Sequence, residues 1–322
     1  MKKEIRIKYV GFWDAFDYKK FRVHEILEKH YSVSISENPE YVICSSFNNE
    51  FLQYRDAIRI FYTGENVIPD FNLYDYAIGF DELFFGDRYI RIPNYIINPK
   101  YDYMIKRMEN KHIEYNSAEG KRFCSFVVSN GNADPMRDYI FDKISEYRKV
   151  DSGGRYRNNI GIANGVEDKL TFQEKYKFAL AVENTSYSGY LTEKLVEAFA
   201  AGGVPIYWGD PKVGKYFNTR AFVNVLDYTS VEDAIEEIKR IDQDENLYMS
   251  YVKTPALNDC KYVENSLEEL ENFICAIFEQ SIEQARRRPT GFWGEHAENN
   301  VKKQVIYDKK QKMKLWRKKI FR

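Results

Sequence analysis

The sequence predicts an α/β protein with two domains. Its 322 residues are enough for two domains, since a typical domain has roughly 150 residues. In each half of the chain, short apolar segments rich in β-branched and aromatic residues alternate with segments that carry a helical apolar stripe. Strands that alternate with helices in this way form a parallel sheet. With 30% charged and 44% apolar residues, the composition is that of a soluble globular protein.

The first hundred residues predict one of the two α/β domains. Residues 21–30 form a helix candidate with Val23, Ile26 and Leu27 on one face. The predicted strands of this half are residues 4–10, 41–45 and 57–62. Residues 100–121 are then polar and charged. We interpret this polar stretch as the hinge between the two domains.

The second half of the chain predicts another α/β unit. It starts with a strand at residues 123–128 and a helix at residues 135–147, which opens with a proline, as helix starts tolerate. A glycine-rich loop follows at residues 151–161. Two further helices are predicted at residues 231–240 and 267–280 from their amphipathic spacing.

Residues 177–211 form a strand–loop–helix–strand unit and carry the strongest functional signal. The predicted elements are a strand at 177–182, a helix at 192–201 and a strand at 204–208. In such units a ligand binds where the first strand ends and the helix begins. Polar side chains gather at this point: Glu183, Asn184, Tyr190, Glu193 and Lys194. The segment therefore predicts a binding site at the start of this helix.

Lys194 indicates which kind of ligand that site takes. A lysine in the first turn of a helix opposes the helix dipole, at a cost of about 0.3–1 kcal/mol. An anion bound there makes the position of the lysine favourable, because the free backbone N–H groups of the helix start and the ammonium group then both bind the anion. Arg155 and Arg157 in the glycine-rich loop are the expected companions, since arginine binds phosphate in a bidentate manner. The alternatives are an ordinary surface lysine and a flexible surface turn.

Several other classes of site lose support. The chain has neither GxxxxGK[ST] nor a GxGxxG after a strand, which argues against kinases and dehydrogenases. Its four cysteines are far apart and its four histidines form no HxxxH pair, so we predict free thiols and no metal or other cofactor. Asp242 and Asp244 spell a DxD motif, which we interpret as a solvated turn. No segment predicts a signal peptide, a membrane span or a nucleic-acid-binding surface, and we expect a cytoplasmic protein.

Several motifs of this chain together resemble the α-1,3-fucosyltransferases of glycosyltransferase family ten, of the bacterial, Helicobacter-like type. The motifs, which extend over most of residues 5–260, are FYTGEN (61–66), FNLYDYAIGFDE (71–82), VSNGNADPMR (128–137), GGRYRNNIG (153–161), ENTSYSGYLTEKLVEAFAAGGVPIYWGDP (183–211) and FVNVLDY (222–228). The resemblance implies the GT-B fold, in which two Rossmann-like domains face each other across a cleft. It implies an acceptor domain at residues 1–118 and a GDP-fucose domain at 119–285. The composition of residues 286–322 predicts a basic helical tail.

The implied reaction is the inverting transfer of L-fucose from GDP-fucose to the GlcNAc of an N-acetyllactosamine-type or lacto-N-biose-type acceptor. The linkage, α-1,3 or α-1,4, stays open. The resemblance also implies a place in the synthesis of Lewis-type lipopolysaccharide O-antigen. Two alternatives remain: a GT-B transferase for another nucleotide sugar, and a non-catalytic, membrane-peripheral protein that binds glycans or nucleotides.

The site residues follow from the same resemblance. Arg157 and Lys194 match the phosphate-binding cations, which stabilise the charge that develops on the leaving diphosphate. The nucleotide-site positions of the family match Asn184, Tyr190 and Glu193. A departure from the family pattern is Arg155, a second arginine two positions before Arg157, so that either arginine could contact phosphate. Donor binding is also expected of Ser129 and Asn130, and acceptor binding of Trp13 and Glu65. Glu82 matches the general base, a role that suits it if the apolar residues beside it in the sequence raise its pKa. A surface acid is the alternative for Glu82, and Glu65 is the second candidate base.

The last 22 residues predict a basic amphipathic helix. Residues 301–322 contain ten Lys/Arg and one acid, while Ile306, Met313 and Ile320 recur every seven residues with Trp316 among them. This form lies on anionic lipid, and we expect it to bind the inner face of the bacterial inner membrane. The alternative is a helix that packs its apolar stripe on the protein.

Overall fold

The computed structural model describes residues 2–114 and 118–320, without the side chains of 112–114, 312 and 314–320. The chain divides into two compact units. The first unit comprises Met1–Gly79, Leu83–Arg91 and Glu269–Arg322, and the second comprises Phe80–Glu82 and Ile92–Glu268. No helix of the described residues is both long and apolar enough to cross a membrane.

The first unit is built on a parallel sheet of six strands. Its strands are β1 (Glu4–Val10), β2 (Ser32–Ile35), β3 (Tyr41–Cys44), β4 (Ile58–Tyr62), β5 (Tyr76–Gly79) and β6 (Tyr89–Arg91), in the spatial order β2-β1-β3-β4-β5-β6. Strands β3, β4 and β5 are buried along their whole length, as parallel strands covered on both faces are. The three strands predicted in this half are confirmed.

The second unit is built on a parallel sheet of five strands. They are β7 (Arg122–Phe126), β8 (Val150–Ser152), β9 (Tyr176–Val182), β10 (Val204–Trp208) and β11 (Val223–Asn224), in the spatial order β11-β10-β9-β7-β8. If the five strands are numbered along the chain, their spatial order is 2-1-3-4-5, as in flavodoxin-like folds. In this order the chain adds strands first on one side of strand 1 and then on the other, so the strand order reverses between strands 1 and 3. Strands β7, β9 and β10 were predicted, and the sheet confirms them.

The helices cover both sheets. In chain order they are α1 (Arg22–His30), α2 (Asn94–Ile97), α3 (Asp102–Glu114), α4 (Met136–Tyr147), α5 (Lys169–Gln173), α6 (Glu193–Ala200), α7 (Val231–Gln243), α8 (Glu245–Lys253), α9 (Tyr262–Phe278), α10 (Ile282–Ala285) and α11 (Phe292–Ile320). The interpretation of residues 100–121 as a hinge is wrong, because most of this stretch forms α3. Ile105 and Met108 are buried on one face of α3, which packs against α6, and the charged residues of its outer face hide this stripe in the sequence.

The C-terminal segment belongs to the first unit. Ala297 and Val301 of α11 pack against the core beneath β3 and β4, and Glu298 forms an ion pair with the buried Arg59 at 2.9 Å. Further along α11, Ile306 and Met313 are each slightly more than half exposed. The side chains of Trp316 and Ile320, on which the tail prediction also rests, lie outside the described residues.

Candidate functional site

The candidate site lies at the switch point of the second sheet, between β7 and β9. Ser129 and Asn130 follow the carboxyl end of β7, and Glu183 and Asn184 follow that of β9. In open α/β sheets ligands bind at this point, where the strand order reverses. The fold therefore brings four of the polar residues singled out in the sequence to the place where such folds bind ligands.

Glu183 occupies the start of helix α6 with its own carboxylate. It is fully buried, and it accepts hydrogen bonds from the backbone N–H of Thr192 at 2.8 Å and from the Thr192 hydroxyl at 2.7 Å. The Lys194 ammonium also donates to Glu183, with Nζ 2.9 Å from Oε2. The helix start carries an anion, as the position of Lys194 suggested, but that anion belongs to the chain itself.

Lys194 is charged and largely enclosed. Its side chain is 13% exposed, and its ammonium also donates to the Thr192 hydroxyl at 2.9 Å. Burial alone would lower the pKa of Lys194, but the carboxylates of Glu183 and Glu193 outweigh it and raise the pKa. An ammonium group has three donors, and Glu183 and Thr192 use two of them.

Glu193 and Tyr190 complete this cluster. Burial would raise the pKa of the Glu193 carboxyl, but Lys194 and Lys169 outweigh burial and lower it, so Glu193 is ionised. Tyr190 is buried and packs edge-on against Phe80, with the ring centroids 5.2 Å apart. The five polar residues predicted at the start of α6 thus lie in one region of the second unit.

Glycines allow the loop at residues 151–161 to lie directly on the end of β7. A Cβ on Gly154 would be 1.9 Å from the carbonyl oxygen of Val128, so only glycine fits there. The backbone N–H of Tyr156 donates to that same carbonyl at 3.0 Å. The close approach explains the glycine at position 154 and places Arg155 and Arg157 on the loop beside the switch point.

The two arginines of this loop have different surroundings. Arg157 has a φ of +53° and turns towards α4, where it pairs with Asp142 and its guanidinium lies 4.3 Å from the centroid of the Phe141 ring. The hydrogen bond that Arg157 donates to the Asp142 carboxylate raises the pKa of Arg157. Arg155 is exposed, and within the described part of the chain no ion pair involves it. The structure therefore does not bring Arg157 and Lys194 onto a common partner.

Arg137 of α4 is a site residue that the sequence did not single out. Its side chain is buried, yet it donates to the carbonyl of Asn130 at 2.8 Å and to Oδ1 of Asn184 at 3.2 Å. Its guanidinium also lies 5.4 Å from the centroid of the Tyr156 ring. Arg137 thus joins the loops that follow β7, β8 and β9. It lies within the motif VSNGNADPMR, but nothing in that motif shows that this arginine is buried.

Glu82 follows the exit of β5 and belongs to the second unit. Gly189, with a φ of +87°, lies against this segment, since a Cβ there would be 2.5 Å from the carbonyl oxygen of Phe80. The Glu82 carboxylate accepts hydrogen bonds from Tyr216 Oη at 2.9 Å, Lys215 Nζ at 3.1 Å and Lys212 Nζ at 3.3 Å. The loop of residues 184–190 and the segment after β10 therefore both reach Glu82.

The condition that apolar neighbours raise the pKa of Glu82 is not met. Partial burial would raise it, but the hydrogen bonds from Lys215, Tyr216 and Lys212 outweigh burial and lower the pKa to about 2. The apolar residue Phe84, which was expected to contribute, is 92% exposed and points into solvent. Neighbours in the sequence are thus not the neighbours that set this carboxyl group's proton affinity.

Trp13 and Glu65 lie in the first unit, after β1 and β4. Trp13 is 41% exposed and contacts Phe16 edge-on, with centroids 5.1 Å apart, and Phe47 at 6.0 Å. Glu65 is exposed, and its backbone N–H donates to the Thr63 hydroxyl at 3.0 Å. Trp13 therefore belongs to a solvent-facing aromatic cluster, and Glu65 to a turn held by Thr63.

The DxD residues are part of the second unit's framework. The interpretation of residues 242–244 as a solvated turn is wrong, because the Asp242 side chain is 4% exposed and pairs with Lys177 at 2.8 Å and Arg148 at 3.0 Å. Asp244 accepts from the backbone N–H of Leu247 at 3.0 Å and so caps α8. Within residues 2–114 and 118–320, no group of three His, Cys, Asp or Glu is arranged to hold a metal ion.

Family models match both halves of the chain. The model of the α-(1,3)-fucosyltransferase FucT N-terminal domain matches residues 7–98. The model of the C-terminal part of glycosyltransferase family 10 (fucosyltransferase) matches residues 118–290.

Known proteins are similar over much of the same range. The α-(1,3)-fucosyltransferase FucT of Helicobacter pylori is 36% identical over 292 residues, which cover 79% of this chain and 60% of that protein. The human 4-galactosyl-N-acetylglucosaminide 3-α-L-fucosyltransferase 9 is 30% identical over 135 residues, 41% of this chain and 36% of the relative. The chain thus spans about 60% or less of the length of these relatives.

Solved structures confirm the predicted α/β GT-B fold with two Rossmann-like units. An α1,3-fucosyltransferase crystal structure is 30% identical, with a TM-score of 0.77, and the match covers 90% of this chain and 93% of the other. A crystal structure of an α1,3-fucosyltransferase with GDP-fucose is also 30% identical, with a TM-score of 0.70, and the match covers 85% of this chain and 91% of the other. Because the two family models together match most of the sequence, the chain belongs to glycosyltransferase family 10, the fucosyltransferases.

Proposed function

We propose that the chain transfers L-fucose from GDP-fucose to the GlcNAc of an N-acetyllactosamine-type or lacto-N-biose-type glycan, with inversion at the anomeric carbon. The observation that carries this proposal is the polar cluster at the switch point of the second unit, around Glu183, Thr192 and Lys194. The similarity to an α1,3-fucosyltransferase structure with GDP-fucose supports it. In this proposal the second unit binds the donor and the first unit binds the acceptor.

The donor roles rest on charge and position. Besides its hydrogen bonds to Glu183 and Thr192, the Lys194 ammonium lies 3.9 Å from Oε1 of Glu193. Its third donor is proposed to serve the diphosphate. Arg157 joins it after leaving Asp142, and the exposed Arg155 is the second arginine of the same loop. The remaining proposed donor contacts come from Ser129, Asn130, Asn184, Tyr190 and Glu193. Cations held beside the diphosphate stabilise the charge that develops on the leaving group.

The transfer step needs one base. The acceptor hydroxyl oxygen forms a bond to the anomeric carbon while the bond from that carbon to the diphosphate oxygen breaks, and GDP leaves with the electron pair. The acceptor's proton goes to Glu82, the proposed general base, and Glu65 is the second candidate. Trp13 offers an exposed ring face, on which a sugar of the acceptor is proposed to pack. The cations replace a metal in this scheme, so we expect turnover to persist in EDTA.

A donor and acceptor panel tests the proposed function. The protein is incubated with GDP-fucose, GDP-mannose and UDP-sugars, each with lactosamine and lacto-N-biose acceptors, and the products are assigned by linkage. We expect turnover with GDP-fucose, and the product gives the linkage. Turnover only with another donor favours the rival transferase. Donor binding without turnover on any acceptor favours the non-catalytic alternative.

We also propose that the basic tail binds an anionic membrane surface at the cytoplasmic face of the bacterial inner membrane. The ten cations of residues 301–322 and the exposed Ile306 and Met313 of α11 support this. A lipid-linked acceptor, such as a lipopolysaccharide precursor, would then lie within reach. Deleting residues 301–322 should weaken sedimentation with anionic vesicles but spare turnover on soluble acceptors. Equal sedimentation of the two proteins contradicts the membrane role, and neutral vesicles serve as the control.

A further inference from the structure

Three side chains from one short segment surround the Glu82 carboxylate. The segment follows β10 and includes the 3-10 turn Val213–Lys215. Buried Asp210 fixes the start of the segment, since it accepts from the backbone N–H of Lys212 at 2.8 Å and its own N–H donates to the Tyr207 hydroxyl at 2.8 Å. The donors to Glu82 are therefore held on a backbone that is anchored to the second sheet.

The three donors are distributed unevenly over the two oxygens of Glu82. Oε1 accepts from Lys215 at 3.1 Å and from Tyr216 at 2.9 Å, whereas Oε2 accepts from Lys212 at 3.3 Å. An ionised carboxylate has about four lone-pair positions, two on each oxygen. These contacts fill Oε1 and leave one position on Oε2. The two oxygens therefore differ: Oε1 already accepts two hydrogen bonds, and Oε2 accepts one and is the better placed of the two to take a further proton.

We propose that Lys212, Lys215 and Tyr216 are positioning residues for Glu82, which keep it ionised and leave Oε2 as the atom that receives the acceptor's proton. This inference rests on the proposed role of Glu82 as the base. The Glu82 side chain is 18% exposed, while Lys212 and Lys215 are more than half exposed. The Glu82 side chain is therefore partly open to solvent, and the two lysines that contact it lie at the surface.

The charge balance gives the proposal a measurable consequence. The groups that face Glu82 from the segment after β10 are two ammonium groups and one phenol, and together they lower its pKa to about 2. Its partial burial acts in the opposite direction. Removing donors therefore raises the pKa towards the ordinary glutamate value of about 4.3 or above it. The acid limb of the pH–rate profile, which reports protonation of the base, must move to higher pH.

The test compares kcat/KM between pH 4 and pH 8 for wild type, Tyr216→Phe and the double variant Lys212→Met/Lys215→Met. Wild type should show no acid limb in this range, the double variant should lose half its activity at about pH 4.5–5, and Tyr216→Phe should fall between them. The control is Lys239→Met, which removes a surface lysine of α7 paired with Glu236 at 2.7 Å. Circular dichroism at each pH establishes that every variant is folded.

The outcomes separate this inference from the proposed function. If Glu82→Gln is inactive but the profiles of wild type, Tyr216→Phe and the double variant superimpose, the three residues do not position the base and the inference is wrong. A wild-type acid limb near pH 5 also overturns it. If Glu82→Gln turns over like wild type, the assignment of the base itself fails. Tyr216→Phe removes a single hydroxyl and keeps the test decisive if the double variant does not fold.

Discussion

Two carboxylates of the second unit, Glu183 and Glu82, have similar partners in opposite surroundings. Each accepts hydrogen bonds from a lysine and from a hydroxyl group, Thr192 for Glu183 and Tyr216 for Glu82. Glu183 and its partners are enclosed, whereas the lysines beside Glu82 are more than half exposed. The same chemistry therefore fixes a helix to a strand in one place and adjusts a proton affinity in the other.

The energetic difference follows from burial. Removing one partner of a buried ion pair leaves an uncompensated charge and costs about 3–5 kcal/mol. Exposed pairs contribute about 0–1 kcal/mol, because water solvates and screens both charges. The comparison predicts that mutations around Glu183 alter the stability of the fold and that mutations around Glu82 alter chemistry.

The largest effect is expected for Lys194→Met. Its loss leaves the fully buried Glu183 carboxylate without its cation, so the free energy of unfolding should fall by about 3–5 kcal/mol, as measured by urea denaturation. The matched variant Lys215→Met should stay within about 1 kcal/mol of wild type. Similar losses for the two variants would remove the distinction between the two carboxylates.

A smaller effect is expected for Arg137→Met, which tests whether the switch-point loops depend on one buried arginine. The change removes the hydrogen bonds that Arg137 donates to the Asn184 side chain and to the Asn130 carbonyl. The free energy of unfolding should therefore fall by about 1–3 kcal/mol. GDP affinity, followed by calorimetry, should also fall. Arg240→Met is the control, because Arg240 is a surface residue of α7. If Arg137→Met matches this control in both measurements, Arg137 does not organise the site.

Lys111 of α3 is a buried lysine that, unlike Lys194, donates to backbone carbonyls: those of Tyr251, at 3.1 Å, and Val252, at 2.8 Å. Burial lowers its pKa from 10.5 to about 7. Between these two values the unfolded chain binds more protons than the folded one, so stability should rise with pH, by about 1 kcal/mol per pH unit.

The measurement is the free energy of unfolding at pH 7.5, 8.5 and 9.5 for wild type and Lys111→Met. Taking the difference between the two proteins isolates Lys111 from other groups that titrate in this range. The difference should change steadily with pH in favour of wild type. A difference that does not depend on pH would mean that Lys111 titrates as an ordinary lysine.

Much of the fold could be predicted from the sequence, because buried parallel strands are continuous apolar runs. Strands β3, β4, β7, β9 and β10 were predicted for this reason, and β1 was predicted from its alternating pattern. Short strands such as β8 and β11 have too few residues to show a pattern. Helix α3 was missed because its sequence contains more polar and charged residues than buried apolar ones, such as Ile105 and Met108.

The site could be located from the sequence, but its internal partners could not. The pattern at residues 183–194 predicted polar residues at a helix start, and the structure places them there. It did not show that Glu183 itself neutralises Lys194, since that contact depends on how the chain folds back over eleven residues. The lysines that set the pKa of Glu82 come from 130 and 133 residues further along. Such contacts follow from tertiary structure alone.

The most direct test of the account is the turnover of Glu82→Gln with GDP-fucose and a lactosamine acceptor. Glutamine keeps the shape of Glu82 but cannot take a proton, so kcat should fall by about 10²–10⁴-fold, while GDP-fucose binding and the free energy of unfolding stay close to those of wild type. Glu65→Gln, the matched change at the second candidate base, should retain most of its turnover. Turnover of Glu82→Gln near that of wild type would contradict the account.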